Sequence, residues 1–231
     1  MESFLSHDKC DPNVLSQSSS HNDEVDRSLH MPGMSILHMV CSKLFCNLDN
    51  EQQLLILSQL LSERYKLDIN LQVDYGHCAH KVPDNRLLLE GMTPLMLAIH
   101  HAVDTATILL LDKEDIDLNL TTKKEKNSAL HLLFSVSTFH VAQKQNYLMS
   151  ILKHKPKIMR NADGKTPLDL LLELLANQNS TVLSQCKSLL VQYMIDNPDM
   201  KEYGQAESGE QVSKLTSNQD DPTHLLPKPG F

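Results

Sequence analysis

The sequence predicts an all-α fold, a solenoid of about four stacked helix pairs with hairpin turns between them and polar tails at both ends. Three observations predict it. A helix-entry signature recurs four times: Gly33-Met34-Ser35-Ile36-Leu37-His38, Gly91-Met92-Thr93-Pro94-Leu95, Asn127-Ser128-Ala129-Leu130-His131 and Gly164-Lys165-Thr166-Pro167-Leu168. A leucine-rich segment of helical length follows each one. Aromatic residues make up 4% of the 231-residue chain and Trp is absent, so any core is aliphatic, which suits helix-on-helix stacking.

The residues of the signature have separate physical roles. Glycine takes the positive φ that a reversing backbone needs. The Ser or Thr hydroxyl can accept from the free N–H groups of the first helical turn. Proline suits the first helical position, where its missing N–H costs nothing. Leucine then begins the apolar face. Three of the seven glycines lie two residues before a capping hydroxyl, and Asn127 is read as the stand-in for glycine in the third copy. The marker leucines Leu37, Leu95, Leu130 and Leu168 are 58, 35 and 38 residues apart. The second helices are expected within 52–61 (QQLLILSQLL), 105–111 (TATILLL), 145–152 (QNYLMSIL) and 181–195 (TVLSQCKSLLVQYMI). Their leucine density predicts burial between neighbours rather than on one face only. A closing signal ends the first two copies, Asp68-Ile69-Asn70 and Asp117-Leu118-Asn119. Ile158-Met159-Arg160 takes that place in the third.

This pattern resembles the ankyrin-repeat family, whose unit of about 33 residues combines a β-turn with two helices and a T-P-L-H signature. The second and fourth copies keep Thr-Pro but carry Met96 and Asp169 in place of the signature His. The first and third keep His38 and His131 but lack the Pro. The closing D-x-N is similar to the family's D-V-N. The resemblance covers about residues 30–198, with repeats near 31–70, 90–119, 126–160 and 161–198. The long first spacing is assigned mainly to an insertion at 71–89 (LQVDYGHCAHKVPDNRLLL), where the family places its hairpin finger. Residues 1–29 read as a Ser-rich acidic disordered tail, and residues 199–231 as a second disordered tail.

Composition bounds the function classes. Five scattered cysteines without a C-x-x-C pair are not a disulfide framework, so a reducing, intracellular setting is expected. No apolar run has the length of a membrane span, and residues 1–30 lack the pattern of a signal peptide. No nucleophile elbow, P-loop, zincin or dinucleotide motif is present, so the protein is read as non-enzymatic. His77, Cys78 and His80 contain zinc-ligand types, but their spacing fits no standard site. No metal or cofactor is expected. An enzymatic or metal-binding role for 71–89 stands only as a remote alternative.

Charge is unevenly spread. The chain carries a net −8, whereas residues 121–165 hold nine basic side chains against Glu125 and Asp163, a local +7. The resemblance implies that 121–127 and 157–165 are neighbouring fingers, and that such proteins bind other proteins through fingers and concave face. Candidate partner-binding residues are therefore Lys123, Lys124, Lys126, Arg160 and Lys165, with Asp84, Asn85 and Arg86 in the insertion. The expected partner is a protein with an acidic segment. An anionic membrane surface is the alternative, and net acidity argues against nucleic acid. Glycine-poor, Asn/Gln/Leu-rich repeats are similar to ankyrin proteins that intracellular bacteria deliver to host cytoplasm or nucleus. Acidic tails around a small core are similar to inhibitors that mask transcription factors. A cytoplasmic effector is the first reading and the masking inhibitor the second.

Overall fold

The structure is a computed structural model and describes residues 33–42, 49–62, 66–75, 89–135 and 141–200. Those residues form eight α-helices and no strand. The helices are α1 (Ile36–Cys41), α2 (Asn50–Leu60), α3 (Pro94–His100), α4 (Asp104–Leu111), α5 (Ala129–Ser135), α6 (Val141–Lys153), α7 (Pro167–Asn177) and α8 (Thr181–Asp196). A 3-10 turn, Pro198–Met200, follows.

The first helix of each pair starts at a hydroxyl. Ser35 accepts from the His38 N–H at 3.5 Å, Thr93 from the Met96 N–H at 3.3 Å, and Thr166 from the Asp169 N–H at 3.2 Å. Pro94 and Pro167 occupy the first turn, as their lack of an N–H allows. At Thr166 the cap is reciprocal. The Asp169 carboxylate accepts from both the Thr166 N–H and its hydroxyl, each at 2.8 Å. Among the second helices, Asp49 caps α2 by accepting from the Gln52 N–H at 2.7 Å. Helix α4 has no side-chain cap, but Asp104 in its first turn complements the helix dipole.

Two rows of helices result. Helices α1, α3, α5 and α7 pack in succession, α2, α4, α6 and α8 do the same, and each helix also packs on its pair-mate. One aliphatic cluster runs through all four pairs, from Met34 and Leu37 to Leu190 and Met194. Burial of such a continuous core is the main stabilising term.

The turns are stitched from pair to pair by backbone hydrogen bonds. Asp74 N–H donates to the Gly33 carbonyl (3.1 Å), Lys123 N–H to Glu90 (2.9 Å) and Ala162 N–H to Glu125 (2.8 Å). A second line of contacts uses the closing D-x-N. Asp68 and Asp117 each accept from the backbone N–H of the Asn two residues on, at 2.9 Å. The Asn side-chain carbonyls then accept from the following pair. Asn70 takes the Asp117 N–H and Asn119 the Lys157 N–H, both at 2.8 Å. These bonds satisfy loop N–H groups that would otherwise be left without a partner at the join.

Four sequence expectations need correction. In the third pair the left-handed residue is Lys126 (φ 55°), not Asn127. It stands two residues before Ser128, as Gly33, Gly91 and Gly164 stand before their caps. The second helices are not buried all round, since Leu54, Leu55, Ile108, Met149 and Ile195 are exposed. Leucine density reported the stacked core but not this outward face. The insertion assigned to 71–89 begins later, since residues 71–75 pack into the stack. Val73 and Tyr75 are buried, and Val73 exchanges backbone bonds with Gly91 and Met92, each at 2.8 Å. Finally, folded structure runs past 198: the Met200 carbonyl accepts from the Ile158 N–H at 2.7 Å.

The caps allow a direct test. Thr93→Ala and Thr166→Ala should each lower unfolding free energy by about 1 kcal/mol, the usual worth of an N-cap. Urea denaturation measures this. A neutral result at Thr166 would show that the Asp169 N–H is satisfied without the Thr166 hydroxyl.

Candidate functional site

The candidate site is the edge where turns 121–127 and 157–165 meet. Two bonds join them directly, and a third holds residue 157 from just before the first turn. Ala162 N–H donates to the Glu125 carbonyl, Asn161 Nδ2 donates to Asn127 Oδ1 at 3.0 Å, and Lys157 N–H is held by Asn119. Each turn is also braced internally. Thr122 N–H donates to the Asn127 carbonyl at 2.9 Å, and Asn127 N–H donates back to Thr122 Oγ1 at 3.0 Å. Asn161 Oδ1 accepts from the N–H groups of Asp163 and Lys165, at 3.1 and 3.0 Å. The edge is therefore a framework whose backbone is fixed before any partner arrives.

The five nominated cations on this edge are not equivalent. Lys123 Nζ meets Glu90 Oε1 at 2.6 Å, and that hydrogen bond raises the lysine's pKa above its usual value. Lys165 Nζ meets Glu173 Oε1 at 2.7 Å, with the same consequence. Arg160 is exposed and donates from Nη1 to the Gly164 carbonyl at 2.6 Å, within its own turn. Lys124 and Lys126 are exposed, and no carboxylate among the described residues pairs with either. Asp84, Asn85 and Arg86 lie outside the described residues, as do His77, Cys78 and His80.

The wider basic tally also changes. Lys144 is 2% exposed and donates from Nζ to the Leu133 carbonyl, near the end of α5. A cation there meets the negative end of the helix dipole. Burial pushes its pKa down to about 8. Lys144 is thus a structural cap and adds nothing to surface charge recognition. Lys153, Lys155 and Lys157 are exposed in and after the last turn of α6. Cys41 and Cys186 are buried free thiols whose pKa values burial raises, which leaves both unreactive.

Sequence reasoning missed Glu90 and Glu173. Glu90 precedes Gly91 directly, so it sits beside the next turn, but a partner 33 residues away has no local signal. Lys124 and Lys126 are thus exposed ammonium groups on a braced edge, with no ion pair among the described residues, and the exposed Arg160 lies on the neighbouring turn. Such groups attract carboxylates, and salt screens that attraction. Among the described residues, no helix is long and apolar enough to cross a membrane.

No protein-family model matches the chain. Over 102 residues it is 32% identical to a protein of Dictyostelium discoideum described as a probable serine/threonine-protein kinase. The match takes in 44% of this chain and 12% of that protein. The chain thus spans a small part of that relative, too little to carry a kinase activity across.

Proposed function

We propose that this chain is an ankyrin-type repeat stack that works as a non-enzymatic protein-interaction scaffold, receiving an acidic segment of a protein partner on the edge formed by 121–127 and 157–165. The stacking of four helix pairs supports the first part of this reading. So do the capping hydroxyls at the start of their first helices and the turns bonded from pair to pair. The observation that carries the second part is local. In a chain of net charge −8, Lys124 and Lys126 are exposed on a braced turn with no carboxylate among the described residues paired to them, while neighbouring Lys123 and Lys165 are each already paired. Preorganised backbone lowers the ordering cost of binding, and exposed like charges act mainly on association rate and specificity.

The test is the double variant Lys124→Glu/Lys126→Glu. Lys123 is left in place because Glu there would face Glu90. The thermal melt should change little, since exposed charges contribute little to stability. Binding of a labelled Asp/Glu-rich peptide should weaken severalfold, with the largest effect at low salt. A variant that binds the peptide as wild type does across the salt series would overturn the reading. Vesicles containing phosphatidylserine serve as the contrasting probe. Stronger charge-dependent binding to them than to the peptide would move the proposal to a membrane surface.

A further inference from the structure

The first and third helix pairs are each joined to the next by a buried imidazole. His38 and His131 are both 0% exposed. The Ser35 N–H donates to His38 Nδ1 at 3.1 Å, and the Ser128 N–H donates to His131 Nδ1 at 3.1 Å. An Nδ1 that accepts a backbone N–H carries no proton, so the ring proton is on Nε2. From there His38 donates to the Met92 carbonyl at 3.3 Å, and His131 to the Lys165 carbonyl at 3.1 Å. Met92 and Lys165 occupy the same place in the next pair, between the left-handed residue and the capping Thr.

The middle joint is built differently. Met96 stands where the imidazole would be, and it has no polar hydrogen to donate. The carbonyls in this place each accept a backbone N–H as well, Met92 from Val73, Asn127 from Thr122 and Lys165 from Asn161, so what Asn127 lacks is the added imidazole bond. The join of α3 to α5 is therefore without this imidazole link, while the joins of α1 to α3 and α5 to α7 each carry one beside their backbone bonds; across the α4–α6 join a part-buried imidazole of another kind, His154, has Nε2 2.8 Å from the Leu111 carbonyl.

We propose that the stack contains two acid-labile joints, at His38 and His131, so that mild acid loosens the first and last helix pairs before the central two. Protonation places a hydrogen on Nδ1, directly against the serine N–H that this nitrogen accepts. The serine hydroxyls, 2.7 Å from Nδ1 of His38 and 2.8 Å from that of His131, can turn to accept that hydrogen, but the serine N–H then loses its acceptor and faces a buried cation, which weakens the joint. The surroundings offer little compensation. Around His38 the groups that favour the cation are the Met92 and Leu71 backbones and the charge of Asp68. Around His131 they are the Lys165 and Met159 backbones and the charge of Asp169. Desolvation outweighs them in both cases. It lowers His38 from 6.5 to about 4, and it lowers His131 as well. The central pairs hold two further depressed groups: Lys144, lowered to about 8 and so already mostly charged over the acid range, and His100, which is half-buried at the end of α3 and bridges no joint in the described hydrogen bonds.

The sign is fixed by linkage. A folded-state pKa below the unfolded value means that the unfolded form binds more protons. Stability is therefore full above about pH 6.5 and falls as pH drops towards 4. Hydrogen exchange of the full chain, corrected for the intrinsic pH dependence of exchange, reads the joints separately. Between pH 7.5 and 5 the opening constant of α1 should rise about 30-fold, the ratio set by a shift from 6.5 to about 4. Helix α7 should accelerate in the same direction, and α4 much less. His38→Met and His131→Met copy the residue found at position 96. Each should remove the acid response of its own joint, α1 or α7, whatever it does to stability at neutral pH. Equal acid acceleration of α1 and α4 would overturn the proposal, and so would an unchanged acid response of α1 in His38→Met.

Discussion

Gly91→Ala should lower unfolding free energy by about 3–5 kcal/mol, combining a strained left-handed residue with forced overpacking. Gly91 has φ 82°, and a Cβ there would sit 2.5 Å from the Lys123 backbone nitrogen. That nitrogen is fixed by its bond to the Glu90 carbonyl, so it cannot move away cheaply. Gly33→Ala should behave alike, because its Cβ would meet the Asp74 carbonyl oxygen at 2.0 Å. Gly164 provides the control. Its φ is 75°, yet a Cβ there meets nothing within 4 Å, since no described turn lies against it. Gly164→Ala should cost only the left-handed penalty, about 1–2 kcal/mol. Urea denaturation of the three variants separates the effects. Equal costs at 91 and 164 would show that backbone strain alone, and not the adjoining turn, sets the requirement for glycine.

Truncation of a marker leucine is the second large effect. Leu95 is 1% exposed, and its helix α3 packs against α1, α4 and α5. Leu95→Ala removes three buried carbons and leaves a cavity that helices on several sides cannot easily close. The cost should lie in the upper part of the range of about 2–5 kcal/mol found for buried leucines. Leu168 is 5% exposed on α7, in the last pair, which has a neighbouring pair on one side only. Leu168→Ala should fall in the lower part of that range, because the end pair can relax into the space. Denaturant midpoints with unchanged m-values would measure both. A neutral Leu95→Ala would contradict its place in the core.

Much of the helical scaffold was legible because its signals are local. A capping hydroxyl, a first-turn proline and a D-x-N turn each join residues two or three positions apart. Ser35, Thr93 and Thr166 accordingly cap where the sequence placed them. The candidate edge was less legible. Its lysines could be counted from the sequence, but Lys144 could not be recognised as buried. Nor could Lys123 and Lys165 be recognised as paired. Those outcomes depend on Leu133, Glu90 and Glu173, which only folding brings near.

The sequence by itself determined an all-α chain and the entry points of its first helices, since three-residue hydrogen-bonding patterns and an aliphatic composition are properties of the string. Tertiary structure decided the rest. It paired Lys123, because Glu90 reaches it from the turn of the preceding pair. It turned His38 and His131 from signature letters into joints, because each imidazole needs a carbonyl 54 or 34 residues away. It also left Lys124 and Lys126 exposed on the edge with no ion pair among the described residues. The physical reason is common to all three. Capping is settled within one helical turn, whereas burial, pairing and protonation are settled by what the neighbouring pair brings into contact.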